Sequence, residues 1–167
     1  MTKTFLISDT HFGHENILNF KTAEGNLLRK FSDIHHHDEF MISNWNKTVG
    51  PEDKVYHLGD VGFISFTRMK DIFDRLNGTK ILIKGNHDNY KLSQYAQIFK
   101  DVRAYHVLDR FVLSHVPIHP YSLDRWKANI HGHLHSNKLD DPKYINICVE
   151  HTHYTPVDFE SIRRDYA

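Results

Sequence analysis

The sequence predicts an α/β layered domain. Three observations carry that prediction. Short apolar runs of strand length recur along the chain, segments with helical period lie between them, and those segments thin out after Arg103. Thr4–Ser8 reads as the first buried strand. Ile34, Met41, Trp45 and Val49 then share one helical face, and His35-His36-His37 read as its solvated start. Lys54–Leu58 is the second strand. Phe66, Met69, Ile72, Phe73 and Leu76 line a second helix, closed by the C-cap signal Asn77-Gly78. Lys80–Lys84 is a strand and Lys91–Phe99 a third helix. Phe111–Ser114, Asn129–His131 and Tyr144–Val149 complete the strands. No repeat, linker or low-complexity tract divides the 167 residues, so 1–167 is read as a single domain without a cap.

Composition narrows the function classes. Basic and acidic side chains number 21 each, whereas a chain that grips nucleic acid by its phosphates ordinarily carries a basic excess. One cysteine, Cys148, excludes an internal disulfide framework. Apolar runs such as Ile81-Leu82-Ile83 are too short to span a bilayer, and the opening MTKTFLISDTH lacks the apolar core of a signal peptide. The expectation is a soluble, cytoplasmic protein with no membrane partner.

Histidine is abundant, at 15 residues, and neutral imidazole is the commonest metal ligand. The informative histidines follow strands. The first strand is followed by Asp9-Thr10-His11, the second by Gly59-Asp60, the third by Gly85-Asn86-His87-Asp88. Later strands end at Ser114-His115 and at Gly132-His133-Leu134-His135. Singly these are ordinary surface or turn residues. Jointly they bring carboxylate, carboxamide and imidazole to one edge of a sheet, where α/β proteins place their sites. His133 and His135, two apart on an extended loop, can face two neighbouring metals, and Asp60 can bridge them with its two oxygens. An oxygen and imidazole shell without thiolate suits Mn, Fe, Ni, Co or Zn in a reactive site and not a structural zinc.

These five segments resemble the motifs of the calcineurin-like metallophosphoesterases, D-x-H, G-D, G-N-H-[D/E], H and G-H-x-H, in order from residue 9 to 135. The opening SDTHFGHENI further resembles a small bacterial and phage group of that superfamily. The resemblance implies a four-layer αββα sandwich of two mixed sheets and a centre of two divalent metals, with Mn²⁺ favoured. It implies that one metal is held by Asp9, His11, Asp60 and His135, and the other by Asp60, Asn86, His115 and His133. With metals roughly 3.5–4 Å apart, a bridging hydroxide would attack phosphorus. His87 would act on the phosphoryl oxygens or the leaving alkoxide as the catalytic side chain.

The sequence departs from the superfamily pattern in two places. Phosphoprotein phosphatases continue the second motif as G-D-x-x-D-R-G, whereas Phe63 and Ile64 stand at the second Asp and the Arg. Without that arginine clamp a doubly charged monoester loses a bidentate partner, so diesters are favoured. What orients His87 is then open between His57 and a backbone carbonyl. Phe12 also separates the first motif from Gly13. His14 behind it is a candidate pocket residue, while Glu15 reads as an acidic residue in a helix first turn.

His119 and Arg125 are further candidate substrate residues, with Trp126 and Lys127 beside Arg125 as either a structural loop or a substrate rim. His131 precedes Gly132 on a strand and is expected to point away from the metals. The terminal Arg163-Arg164 reads as a solvated helix or tail. The leading expectation is a phosphodiesterase acting on a nucleotide, a cyclic nucleotide or an exposed nucleic-acid end. A phosphomonoesterase, a non-catalytic scaffold of the same fold and a nuclease subunit with a DNA-gripping partner remain alternatives.

Overall fold

The computed structural model describes residues 1–166. Its strands are β1 (Thr4–Ile7), β2 (Lys54–His57), β3 (Thr79–Ile83), β4 (Asp101–Arg103), β5 (His106–Leu108), β6 (Phe111–Ser114), β7 (Ala128–His131), β8 (Tyr144–Asn146) and β9 (Val157–Asp158). Its α-helices are α1 (Ile34–Thr48), α2 (Phe66–Asp74), α3 (Leu92–Tyr95) and α4 (Phe159–Asp165). The strands form two mixed sheets, in the orders β4-β3-β2-β1-β9 and β5-β6-β7-β8. Within them only β9 and β5 run antiparallel to their neighbours.

Alternation along the strands builds two cores. Phe5, Ile7, Val55 and Leu82 point to one side, where Met41, Ile42 and Trp45 of α1 and Met69 and Phe73 of α2 cover them. Leu6, Tyr56, Ile81 and Ile83 point to the other, against Phe111 and Leu113 of β6 and Ala128 and Ile130 of β7. Asp33 caps α1 by accepting the His36 N–H, and Ser65 caps α2 by accepting the Arg68 N–H. Trp45 is fully buried and donates its indole N–H to the Asn77 carbonyl at 3.0 Å. The outward side chains of β6, Val112 and Ser114, meet the segment 116–126, whose helical part is the single 3-10 turn Pro120–Leu123.

Several expected elements change at their edges. The strand expected over Tyr144–Val149 ends at Asn146, and Cys148 continues only as an isolated bridge to Ser8. The third helix shrinks to Leu92–Tyr95, because the bonds of Gln97 and Ile98 run to residues three back, at Gln94 and Tyr95. α2 stops at Asp74, and Gly78 (φ 84°) turns the chain into β3. The strands β4, β5 and β9 and the helix α4 carried no periodic signal. β5 and β6 are joined by Asp109 and Arg110, both left-handed at φ 44° and 69°, a mirror-image hairpin turn made without glycine.

The histidine run at the start of α1 is not uniformly solvated. His35 and His36 are exposed, but His37 is fully buried, because the third position of the run falls on the core face of α1. Nor does His57 orient His87. Its ring is buried between β2 and the loop after β1, with Nε2 on Thr10 Oγ1 at 2.8 Å and Nδ1 accepting the Gly59 N–H at 3.1 Å. Thr10 Oγ1 donates onward to the Val61 carbonyl, so the ring is neutral with its proton on Nε2.

Burial depresses the His57 pKa to about 3, against a partial upward pull from Asp9. The unfolded chain takes up this proton below about 6.5 and the folded one does not. The stability His57 contributes is therefore whole above pH 6.5 and is lost as pH falls toward 3. Urea unfolding at pH 7.5 and 4.5 is expected to show wild type more stable than His57→Gln at the higher pH, with the gap narrower at the lower. An unchanged gap would contradict the neutral buried ring.

Candidate metal centre

The loops leaving β1, β2, β3, β6 and β7 meet at one end of the two sheets. They are laced by backbone bonds: Asp9 N–H to the Gly59 carbonyl (3.0 Å), His11 N–H to the Asp60 carbonyl (3.1 Å) and Gly132 N–H to the His115 carbonyl (2.9 Å). Two glycines permit the approach. A Cβ on Gly59 (φ 95°) would stand 2.5 Å from the Gly85 nitrogen, and one on Gly132 would overlap Ser8 Oγ and the Asp9 carboxylate. Asp9, His11, Asp60, His133 and His135 all hold left-handed backbone, with φ between 49° and 69°. Five such residues at one place is strain that the surrounding bonds must impose.

The lacing brings the candidate ligands into two clusters, Asp9–His11–His135 and Asp60–His115–His133, each with ligand atoms within 4.8 Å of one another. Asp9 Oδ2 is occupied by the Ser8 hydroxyl (2.6 Å), the His133 N–H (2.9 Å) and the Cys148 thiol (3.3 Å). Asp9 Oδ1 and His11 Nε2, 3.7 Å apart, are both buried without a hydrogen-bond partner. Asp60 Oδ1 accepts the His87 N–H at 2.9 Å. Asp60 Oδ2 lies 3.8 Å from His11 Nε2 and 3.4 Å from His115 Nε2, between the clusters. The carboxylate thus faces both clusters with one oxygen rather than one oxygen each, because the other is held by the loop after β3. Asn86 Oδ1 is 2.8 Å from His115 Nε2 and 3.0 Å from His133 Nδ1.

Further hydrogen bonds aim these rings. His115 Nδ1 donates to the Leu58 carbonyl at 2.7 Å, which turns Nε2 toward Asp60. His135 Nδ1 bonds Glu150 Oε1 at 3.1 Å. His11 Nδ1 meets His14 Nδ1 at 2.9 Å, so His14 stands behind His11. Burial pushes the Asp9 carboxyl up, but the adjacent His11 imidazole and the fields of His115 and His135 overcome this and hold it well below the usual range. Burial depresses His135 and His115, and the carboxylates of Glu150 and Asp60 reverse the sign in each case. An arrangement of two anionic carboxylates, a carboxamide and four imidazoles, with orphaned buried atoms turned inward, fits a pair of divalent cations of borderline hardness.

The supports to which the sequence assigned no role in the site lie behind the clusters. Arg29, fully buried, donates to the Asp9 carbonyl (2.6 Å), the Thr10 carbonyl (3.0 Å), Glu150 (2.9 and 2.8 Å) and His37 Nε2 (3.0 Å). His37 Nδ1 donates to Asp38 at 2.8 Å, and Asp38 accepts the Gly13 N–H. Asp88, also buried, accepts three backbone N–H groups, from Gly85, Asp60 and Val61. Phe63 stacks on His14 at 4.0 Å and His11 at 5.2 Å and meets the exposed ring of His87 at 5.2 Å. An aromatic post therefore occupies the place of the second motif's carboxylate.

Other sequence candidates lie elsewhere. His119 caps the 3-10 turn by accepting the Tyr121 N–H. Arg125 is exposed, and its carbonyl accepts from Arg110. His131 turns its Nδ1 to the Gly132 carbonyl and packs on Tyr144. Arg163, on α4, pairs with Asp109 and Glu160. Among the described residues no helix is long and apolar enough to cross a membrane.

No family model matches the chain. It is 36% identical over 172 residues to the uncharacterized protein MJ1445 of Methanocaldococcus jannaschii, across 97% of this chain and 90% of that one. The chain belongs to the MJ1445 family. A second relative, the gene 66 protein of Mycobacterium phage L5, is 35% identical over 92 residues, covering 53% of this chain and 41% of that protein. Among solved structures, the protein of unknown function AQ665 from Aquifex aeolicus superposes with a TM-score of 0.78 at 27% identity, over 98% of this chain and 99% of that one.

Removing one partner of a buried ion pair strands the other. Arg29→Met is expected to cost about 3–5 kcal/mol in denaturant unfolding and to weaken Mn²⁺ binding about 10–100-fold in calorimetric titration. Wild-type stability and metal affinity in this variant would show that the buried pair does not support the centre.

Proposed function

We propose that this protein is a metal-dependent phosphoric ester hydrolase that favours diesters. The observation that carries the reading is the placement of Asp60 Oδ2 between two ligand clusters whose inward atoms include the buried, unpartnered Asp9 Oδ1 and His11 Nε2. The motif resemblance supports it. Asp9, His11, Asp60 and His135 would hold one ion, and Asp60, Asn86, His115 and His133 the other, with Mn²⁺ the proposed metal. Two bound cations supply Lewis acidity toward phosphoryl oxygens and acidify a water molecule at the site.

In the reaction, the water oxygen forms a bond to phosphorus, the bond to the ester oxygen breaks, and the products are a monoester and an alcohol. His87 is exposed, with its main chain fixed by Asp60 and its ring against Phe63. From there it stabilises the phosphoryl oxygens or protonates the leaving oxygen. Phe63 and Ile64 give a substrate no carboxylate–histidine pair and no guanidinium clamp, which suits the single charge of a diester. The chain acts as one domain without a cap, in the cytoplasm, on a nucleotide, a cyclic nucleotide or an exposed nucleic-acid end.

The test is hydrolysis of bis(4-nitrophenyl) phosphate and 4-nitrophenyl phosphate by metal-stripped protein resupplied with Mn²⁺. Diester turnover that requires metal is expected to exceed monoester turnover. His87→Ala is expected to lower kcat about 10²–10⁴-fold while metal content stays that of wild type. Monoester preference would overturn the diester assignment, and no turnover with metal bound would overturn the enzyme reading.

A further inference from the structure

A cavity of about 720 Å³ adjoins the metal centre and shares Asn86 and His115 with it. It lies on the outer face of the second sheet, where β6 turns out Val112 and Ser114 and the cover is the segment 116–126. Val107, Val116 and Ile118 add apolar walls, and Tyr105 and Trp126 add two aromatic ones. The volume falls within the roughly 300–1,000 Å³ of small-molecule sites.

The polar groups of this cavity are few and mostly satisfied. Ser114 Oγ donates to the Val116 carbonyl and accepts from Asn129 Nδ2. His115 Nδ1 is taken by the Leu58 carbonyl. Lys84, exposed, is the one cation among the lining residues. Tyr105 and Val116 are nonetheless 65% and 47% exposed. Large apolar side chains held open to water around a concave wall mark a surface that an apolar ligand covers.

We infer that this cavity is the subsite for a planar aromatic group, a nucleobase or an aryl ring, carried on one ester arm of the substrate. Tyr105 and Trp126 are its specificity determinants. The inference rests on the proposed function for the identity of the phosphate ester, and it narrows that ester's class. The shared Asn86 and His115 place a phosphate at the centre when the ring is in the cavity. Aromatic walls interact with a ring face without reading its edge, so the subsite discriminates ring from no ring more than base from base. A single lysine fits a diester's single charge. Trp126 lines the cavity and the neighbouring Arg125 does not.

Fluorescence tests this without turnover. The chain has two tryptophans, and Trp45 is sealed in the other core, so a saturable change with ligand reports Trp126. Titration of the protein as purified with adenosine is expected to give that change, and ribose at equal concentration to give none. Ala104 is exposed at the cavity wall and is not one of the candidate ligands. Ala104→Phe is expected to fill the space and weaken adenosine at least tenfold.

With Mn²⁺ restored, Ala104→Phe should raise KM for bis(4-nitrophenyl) phosphate at least tenfold and leave kcat near wild type. Adenosine binding without any diester turnover would uphold the subsite and remove the hydrolase reading. Diester turnover with no fluorescence response, or with KM unchanged in the variant, would overturn the subsite and leave the hydrolase reading standing.

Discussion

A guanidinium with no access to solvent has to find a partner for each of its donors, or it destabilises the fold that buries it. Arg29 meets that demand with the carbonyls of Asp9 and Thr10, the carboxylate of Glu150 and the ring of His37. The arrangement pins the loop after β1 in its left-handed course. It also brings Glu150, from the far end of the chain, within reach of His135. His37 can accept from Arg29 only while neutral, and burial holds its pKa down. The positions of Asp9, His11 and His135 thus depend on a charge that itself hydrogen-bonds no candidate ligand side chain.

The second support is backbone. Left-handed φ at five non-glycine residues is unfavourable for each. The cost is borne because the loops collect one another's N–H groups: Asp88 gathers two from the loop after β2 besides one from its own, and Asp60 and Asp9 gather those of His87 and His133. The same bonds that force the backbone direct the carboxylates. Asp9 and Asp60 each give one oxygen to the scaffold and turn the other inward.

Beyond the centre, the two sheets are covered unequally. The first is sealed by α1 and α2 around Trp45. The second is met on its outer face by a segment with one helical turn, and the gap it leaves opens beside Asn86 and His115. Phe63 adds an aromatic wall on the side of His11, His14 and His87. Aromatic surface flanking a charged centre suits a substrate that joins one phosphate charge to an apolar group.

By itself, the sequence determined the strands that carry a run of apolar residues, the two helices with a clear apolar face, and the ligand candidates at the strand ends. These are local properties: burial on both faces dictates the run, and a ligand just past a strand end is a matter of a few residues. Tertiary structure alone decided the rest. β4, β5 and β9 span two or three residues and borrow their order from neighbouring strands. His37 parted from His35 and His36 because one step along α1 crosses from solvent to core. Arg29 and Glu150, 121 positions apart, carry no local signal of their pairing. The single oxygen with which Asp60 faces both clusters depends on a bond from His87, 27 residues away. Charge burial and hydrogen-bond satisfaction are properties of packed neighbours, and neighbours distant in sequence leave no periodic trace along the chain.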